Sequence, residues 1–205
     1  MKKFSSAVLA GICIGIGGCA FLSLESKLIG ALFFTVGLFT ICTFRLDLFT
    51  GKVCYALSGG KAYAAYLPVI WLGNLAGTWL CAQMIKMTRI APIAERAADM
   101  CQVKLNDRLV SIFILSVFCN ILIYIAVEGF KTNSHETGKY LALFFGVAVF
   151  ILCGFEHCVA NMFYISLAGM WSGQALLMLA VNTIGNAFGG MLFPAAKKYI
   201  LKENN

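Results

Sequence analysis

Long blocks of apolar residues, separated by short polar clusters, constrain this chain more than any other sequence feature. Of its 205 residues, 60% are hydrophobic and only 12% are charged, whereas soluble domains are about 45–50% apolar and about 25% charged. Apolar blocks of this length are typical of membrane-spanning helices. The composition therefore excludes an ordinary soluble enzyme and predicts an all-α membrane protein that lies in a lipid bilayer.

The block pattern predicts six transmembrane helices. They cover about residues 4–24, 28–61, 62–85 and 109–127, a fifth span that begins near Tyr140, and about residues 171–196. The connection 86–108 is the longest polar segment, and residues 92–100 are predicted to form an amphipathic surface helix. An even number of spans places both termini on one side of the membrane. The basic residues near the ends, Lys2, Lys3, Lys197, Lys198 and Lys202, favour the cytoplasm for that side. We expect a multi-pass protein of the cell (plasma or inner) membrane.

Polar residues interrupt two of the predicted spans. Arg45 and Asp47 interrupt the second span, and Glu156 and His157 interrupt the fifth. An ionisable group at membrane depth is costly and therefore indicates a functional site. Broken backbone at that depth is tolerated only where it is packed in protein or lines a cavity. The alternatives are a water-exposed loop with Arg45 and Asp47 as a surface pair, and a Glu156–His157 pair that only packs helices together.

A weak internal repeat relates the two interruptions. Gly-Asn-x-x-Gly occurs at Asn74 and again at Asn186, each time after an interrupted span. The chain is thus predicted to be a single transmembrane pore domain with two halves, 1–103 with the outer connector and 104–205. Three spans per half make the second half enter the membrane from the opposite side. Interrupted spans at matching places in such an inverted repeat indicate the substrate site of a transporter.

The remaining chemistry-bearing residues are few. His157 could act as a neutral hydrogen-bond donor or lend a proton to an anion, and Glu156 could orient it or pair with an asparagine. Asn74, Asn120 and Asn186 lie in apolar spans, where amides mainly join helices. On sequence alone Lys104 is a solvated lysine. The nine cysteines form no C-x-x-C pair, so no zinc site or disulfide framework is predicted. No metal, cofactor, nucleotide or nucleophile motif is present, and the basic residues do not form a nucleic-acid patch.

Three motifs resemble the formate/nitrite transporter family: Phe155-Glu156-His157-Cys158-Val159-Ala160-Asn161-Met162, Leu48-Phe49-Thr50-Gly51 and Cys119-Asn120. The resemblance extends over nearly the whole chain. It implies an aquaporin-like protomer with six spans, of which the second and fifth are broken, in a homopentamer with one pore per protomer. The central histidine of the family matches His157, its loop threonine matches Thr50, and its lysine before span four matches Lys104. The family's hydrophobic constrictions fall by spacing on Phe34, Leu38, Leu48, Phe49 and Phe150. The family's longer N-terminal cytoplasmic helix has no counterpart in this sequence.

Together with these residues, the resemblance implies transport of small monovalent anions of weak acids, namely formate, nitrite or hydrosulfide. Lys104 would attract the anion, and protonation at or near His157 would make a neutral acid that crosses the apolar constrictions. Glu156, Asn120, Asn161 and Asn186 would support the site. Alternatively, His157 and Thr50 only hydrogen-bond the anion, and the protein is a channel. A pore for neutral solutes such as water or glycerol is the rival of the same architecture. A membrane scaffold or an intramembrane enzyme is the rival of another class.

Overall fold

The computed structural model describes residues 2–202, and every regular element within that range is a helix. The ten helices are α1 (Lys2–Ser23), α2 (Lys27–Thr43), α3 (Phe49–Val53), α4 (Ala56–Ala64), α5 (Leu67–Lys86), α6 (Ile93–Leu105), α7 (Leu109–Thr132), α8 (Glu136–Leu152), α9 (Cys158–Ala168) and α10 (Gly173–Lys202). The side chains of Lys198 and Lys202, which entered the prediction of orientation, lie outside the described part of the chain. The predicted all-α architecture is confirmed.

Three of the described helices are long and apolar enough to cross a membrane by themselves. They are α1, α7 and the part of α10 at Gly173–Lys197. A fourth is reached if α4 and α5, which meet at an angle of 85°, are counted as one bent span. The 11 residues of α9 extend only about 17 Å at 1.5 Å per residue, less than the roughly 30 Å of a bilayer core. Length and composition alone therefore give fewer spans than the six that were predicted.

The segment after α3 differs from the sequence prediction. The predicted second span continued to residue 61, whereas α3 ends at Val53 and α4 is a separate helix without a buried residue. Gly60 inside α4 has a φ of 75°, which glycine adopts readily because it has no Cβ. The chain therefore kinks within α4, and it bends again where α4 meets α5.

Helices α2 and α8 end in the same backbone motif. The amide of Leu46 donates to the carbonyl of Ile41, and the amide of Phe155 donates to that of Phe150, each over 2.9 Å. The residues just before these amides, Arg45 and Gly154, have left-handed φ values of 56° and 72°. This is the Schellman arrangement, which satisfies helix-end carbonyls that would otherwise have no partner. Non-helical residues 44–48 and 153–157 then lead into α3 and α9.

Close backbone approach holds the long helices together in two similar groups. Helix α1 packs on α2 and α5, and α7 packs on α8 and α10. A Cβ added at Gly77 would lie 2.0 Å from the carbonyl oxygen of Val8, and one at Gly189 would lie 2.1 Å from that of Val117. Only glycine permits these contacts, as is common where membrane helices pack. The two groups meet where α5 packs on α9 and α2 packs on α8.

The connector helix α6 packs against α9 and α1. It extends beyond the amphipathic helix predicted at residues 92–100 and buries Ala97 and Cys101. Burial raises the pKa of the Cys101 thiol to about 11, although the nearby Lys104 ammonium lowers it. Because α6 reaches Leu105, its last turn carries Lys104 toward the start of α9.

Candidate functional site

The structure brings two predicted site residues into contact in its interior. Thr50 Oγ1 and His157 Nε2 lie 2.9 Å apart, although 107 residues separate them in the sequence. The side chains are buried, with exposures of 0% for Thr50 and 2% for His157. Thr50 stands in the first turn of α3, and His157 directly precedes α9. The two helix beginnings therefore meet through one hydrogen bond.

The second ring nitrogen of His157 fixes which nitrogen carries the proton. The amide of Ala160 donates to Nδ1 over 3.1 Å and so caps α9. Because a backbone N–H can only donate, Nδ1 is an acceptor and the proton of the neutral ring is on Nε2. Nε2–H then donates to Thr50 Oγ1.

The Thr50 hydroxyl group keeps its own hydrogen for another acceptor. Its oxygen accepts from His157, and a hydroxyl has one donor hydrogen besides its lone pairs. The backbone of Thr50 is held separately, because its carbonyl accepts from Asn120 Nδ2 over 3.1 Å and from the Cys54 thiol over 3.2 Å. Asn120 thus supports the site through the backbone of Thr50.

Glu156 binds Lys104 and not the imidazole. Lys104 Nζ lies 2.7 Å from both Oε1 and Oε2 of Glu156. The side chains are 13% and 6% exposed, so this is a largely buried ion pair. Asn161 Nδ2 donates to Oε2 over 2.6 Å. Among the described residues Glu156 forms no hydrogen bond with His157, so the carboxylate positions the Lys104 ammonium instead of orienting the ring.

Asn182 and Ser116, which the sequence analysis did not identify, complete the hydrogen-bond network around Glu156 and Asn161. Asn182 Oδ1 accepts from Asn161 Nδ2 over 2.9 Å, and Asn182 Nδ2 donates to Ser116 Oγ over 2.8 Å and to the Glu156 carbonyl over 2.9 Å. One signal could have identified Asn182: it stands four residues before Asn186 in an apolar helix, and residues at that spacing share a helix face.

Asn74 and Asn186 make matching sets of three hydrogen bonds. Asn186 accepts from the Cys158 amide and donates to the carbonyls of Ser116 and Glu156, each over 2.8 Å. Asn74 accepts from the amide of Phe49 over 2.8 Å and donates to the carbonyls of Ala7 and Asp47 over 2.8 and 2.9 Å. Each amide therefore caps the short helix that follows an interruption and ties the interruption to a long helix.

Two cavities approach the Thr50–His157 bond from opposite sides. The first, which we call the Lys131 cavity, has a volume of about 500 Å³, and its walls include Leu38, Leu48, Gly51, Lys52 and Lys131. The second, the Lys104 cavity, has about 440 Å³, and its walls include Lys27, Lys104, Phe150, Glu156 and His157. Lys27 at the start of α2 lines the Lys104 cavity, and Cys42 near its end lines the Lys131 cavity, so the two cavities lie toward opposite ends of this helix. His157 lines the Lys104 cavity and Gly51, which follows Thr50, lines the Lys131 cavity, so the hydrogen bond joins the walls of the two cavities.

The five predicted constriction residues divide into three groups. Leu38 and Leu48 line the Lys131 cavity, Phe150 lines the Lys104 cavity, and Phe34 and Phe49 line neither. Phe150 stacks on His157 with ring centroids 5.6 Å apart, and Phe34 meets Phe150 edge-on at 6.1 Å. The imidazole therefore borders a stack of apolar rings.

A family model described as Formate/nitrite transporter matches residues 1–200. The chain belongs to the formate/nitrite transporter family. Among the members of this family that it resembles, the uncharacterized transporter YrhG of Bacillus subtilis (strain 168) is 28% identical over 94% of this chain and 85% of the relative. The formate channel FocA of Haemophilus influenzae is 26% identical over 80% of this chain and 65% of the relative. The nitrite transporter NirC of Salmonella typhimurium is 26% identical over 92% and 78%.

A solved structure of the family shares the fold. A pentameric formate channel with formate bound superposes with a TM-score of 0.81 at 25% identity, and the match covers 98% of this chain and 96% of that channel. The family assignment and the apolar helices together show a membrane protein related to channels and transporters, not to enzymes.

Proposed function

We propose that this protein transports a small monovalent anion of a weak acid across a membrane together with a proton. The observation that carries the proposal is the buried Thr50–His157 hydrogen bond between two cavities. Formate, nitrite and hydrosulfide are the proposed substrates, and relatives named for formate and nitrite support the first two.

We propose six spans, with α2–α3 as the broken second span and α8–α9 as the broken fifth. The matching helix ends at Arg45 and Gly154 and the matching amide bonds of Asn74 and Asn186 support two related halves, 1–103 and 104–205, inserted in opposite directions. The likeness to a pentameric formate channel supports a homopentamer. Both termini are proposed to face the cytoplasm of a plasma or inner membrane.

We propose a role for each charged and apolar residue along the path of the anion. The Lys104 ammonium attracts an anion into its cavity, and Glu156 holds that ammonium beside the pore. A bare ion loses several kcal/mol or more when it leaves water for apolar surroundings, so the rings of Phe34 and Phe150 oppose its passage. The neutral acid formed by adding a proton avoids most of this cost.

The hydrogen bonds of the His157 ring support a position for the proposed proton step outside the ring. In the resting ring Nε2 carries the proton and Nδ1 is occupied by the Ala160 amide. If Nε2 gave up its proton, Nδ1 would have to gain one and lose this capping bond. We therefore place proton uptake by the anion in the water of the Lys104 cavity at the face of the ring. His157 Nε2–H and the Thr50 hydroxyl then hydrogen-bond the acid as it passes.

Flux in liposomes tests the proposal. Formate, nitrite and sulfide uptake would be measured with an internal pH dye for the native protein, His157→Gln and His157→Phe. The amide of glutamine can still donate a hydrogen bond, whereas phenylalanine cannot. We expect proton-coupled uptake by the native protein and a loss of about tenfold or more in His157→Phe, because a polar solute loses its buried hydrogen bond.

Two outcomes would contradict the proposal. Undiminished proton-coupled flux in His157→Phe removes the histidine from the mechanism. Water or glycerol flux without dependence on pH, and without anion uptake, identifies a neutral-solute pore instead.

A further inference from the structure

Arg45 occupies a backbone conformation that suits glycine. In the described part of the chain it is the only non-glycine residue with a positive φ, 56°. The equivalent position at the end of α8 is Gly154, with a φ of 72°. A Cβ in the left-handed region crowds a carbonyl oxygen, and glycine avoids this cost. A strained residue of this kind indicates a role for its side chain.

The strained position faces a cavity. Arg45 lines the Lys131 cavity, and its counterpart Gly154 lines the Lys104 cavity. Matching backbone positions thus border the two mouths of the proposed pore, and only one of them carries a charge. The side chain of Arg45 is exposed, so its guanidinium is accessible to a solute in the cavity.

Among the described residues, Arg45 is the cation of this cavity that neither a carboxylate nor an aromatic ring holds. Lys52 Nζ lies 3.0 Å from Asp47 Oδ1, so Asp47 pairs with Lys52 and not with Arg45. Within the described residues Arg45 has no salt-bridge partner.

The third cation of the cavity is held against an aromatic ring. Lys131 Nζ donates to the Tyr55 hydroxyl over 3.0 Å and lies 4.1 Å from the ring centroid. That hydroxyl donates to Glu128 over 2.6 Å. Neither Asp47 nor Glu128 lines the cavity, so the walls present three cationic groups and leave the guanidinium free.

We propose that Arg45 captures the substrate anion at the mouth opposite Lys104, so that the Lys131 cavity is a second anion-collecting vestibule. This inference rests on the proposed transport function. A guanidinium presents parallel N–H donors that match two oxygens on one planar anion. Formate and nitrite have two such oxygens and hydrosulfide has none. Capture by Arg45 therefore favours planar oxyanions over hydrosulfide.

The test measures the half-saturating anion concentration separately from each side of the membrane. Proteoliposomes of known orientation, determined by protease protection of a terminal tag, would contain the native protein, Arg45→Gly, Arg45→Lys or Lys61→Ala. Lys61 is an exposed lysine outside the cavity lining and serves as the control. Arg45→Gly removes the charge and also the backbone strain, so its thermal stability should equal or exceed that of the native protein.

In Arg45→Gly at low ionic strength, the half-saturating formate concentration should rise about threefold to tenfold from the Lys131 side. It should change less than about twofold from the Lys104 side. The effect should vanish in about 1 M salt, where the Debye length is about 3 Å. Arg45→Lys should keep the native half-saturating concentration for hydrosulfide but raise the half-saturating concentrations for formate and nitrite.

If the native protein transports the anion and Arg45→Gly has the same half-saturating formate concentration from both sides, the inference is overturned. An equal shift in Lys61→Ala would also overturn it, because the effect would then be general surface charge. Absence of any anion flux in the native protein is a different result, which removes the proposed function itself.

Discussion

The ammonium nitrogen of Lys104 lies 2.7 Å from each of the two carboxylate oxygens of Glu156. The contact joins the last turn of α6 to the residue that precedes His157. Each charge of a buried ion pair is stabilised by the other, because removing one leaves the other buried without a partner. The connector helix is therefore fastened to the interruption in the second half of the chain by an ion pair.

Breaking this ion pair from one side should be more harmful than removing it entirely. Lys104→Met and Glu156→Gln should each destabilise the fold, the former by about 3–5 kcal/mol because Glu156 keeps an uncompensated charge. The double variant should recover most of that stability but not the anion flux. Unfolding in detergent and flux in liposomes would be compared across the four proteins. Simple addition of the two losses in stability would contradict the coupling.

Thr50→Val should weaken both the fold and the transport, because it removes the acceptor of the His157 Nε2–H donor. A buried donor without a partner costs about 1–3 kcal/mol. Thr50→Ser keeps the hydroxyl and is the matched control. Thermal unfolding and formate flux would be measured together. Native flux in Thr50→Val would show that the hydroxyl does not contact the solute.

Gly77→Ala and Gly189→Ala should each disturb helix packing, because the new methyl group would meet a backbone carbonyl at 2.0 or 2.1 Å. Overpacking of this kind costs about 1–3 kcal/mol. Gly173→Ala is the control, since a Cβ there meets nothing within 4 Å. Thermal unfolding in detergent provides the comparison, and equal midpoints for all three variants would contradict the prediction.

Cys101 should resist alkylation at neutral pH. Its pKa is raised to about 11 by burial, and only the thiolate reacts. Reactivity of Cys101 should therefore appear only as the pH approaches 11, and the exposed Cys153 serves as the accessible comparison. In Lys104→Met the pKa should rise further, because the nearby positive charge that lowers it is lost. Mass spectrometry of maleimide-treated protein measures both sites, and rapid labelling of Cys101 at pH 7 would contradict the burial.

The sequence was sufficient for the helical class and the family, because each depends on local composition or on a short motif. It was insufficient for ion-pair partners that meet only in the folded chain. The sequence suggested that Glu156 orients His157 or pairs with an asparagine. Glu156 does accept a hydrogen bond from Asn161, but its charged partner is Lys104, 52 residues away. Asp47 similarly pairs with Lys52 instead of Arg45.

The direction of the backbone is the second feature that the local sequence pattern did not predict. The apolar block that resumes at Leu48 continues to Leu57, yet α3 ends at Val53 and the separate helix α4 meets α5 at 85°. The left-handed conformation of Arg45 is likewise disfavoured for an arginine, so only its position at the end of α2 reveals it.

The asparagine bonds have a consequence for the order of events during synthesis. All three partners of the Asn74 side chain lie within residues 1–103, and all four partners of the Asn186 side chain, which include Asn182, lie within residues 104–205. Each interruption can therefore satisfy its backbone groups with residues of its own half as that half leaves the ribosome. The Thr50–His157 bond, which joins the halves, can form only after α9 has been made. The centre of the proposed pore is thus a late product of assembly, completed when two already capped units meet.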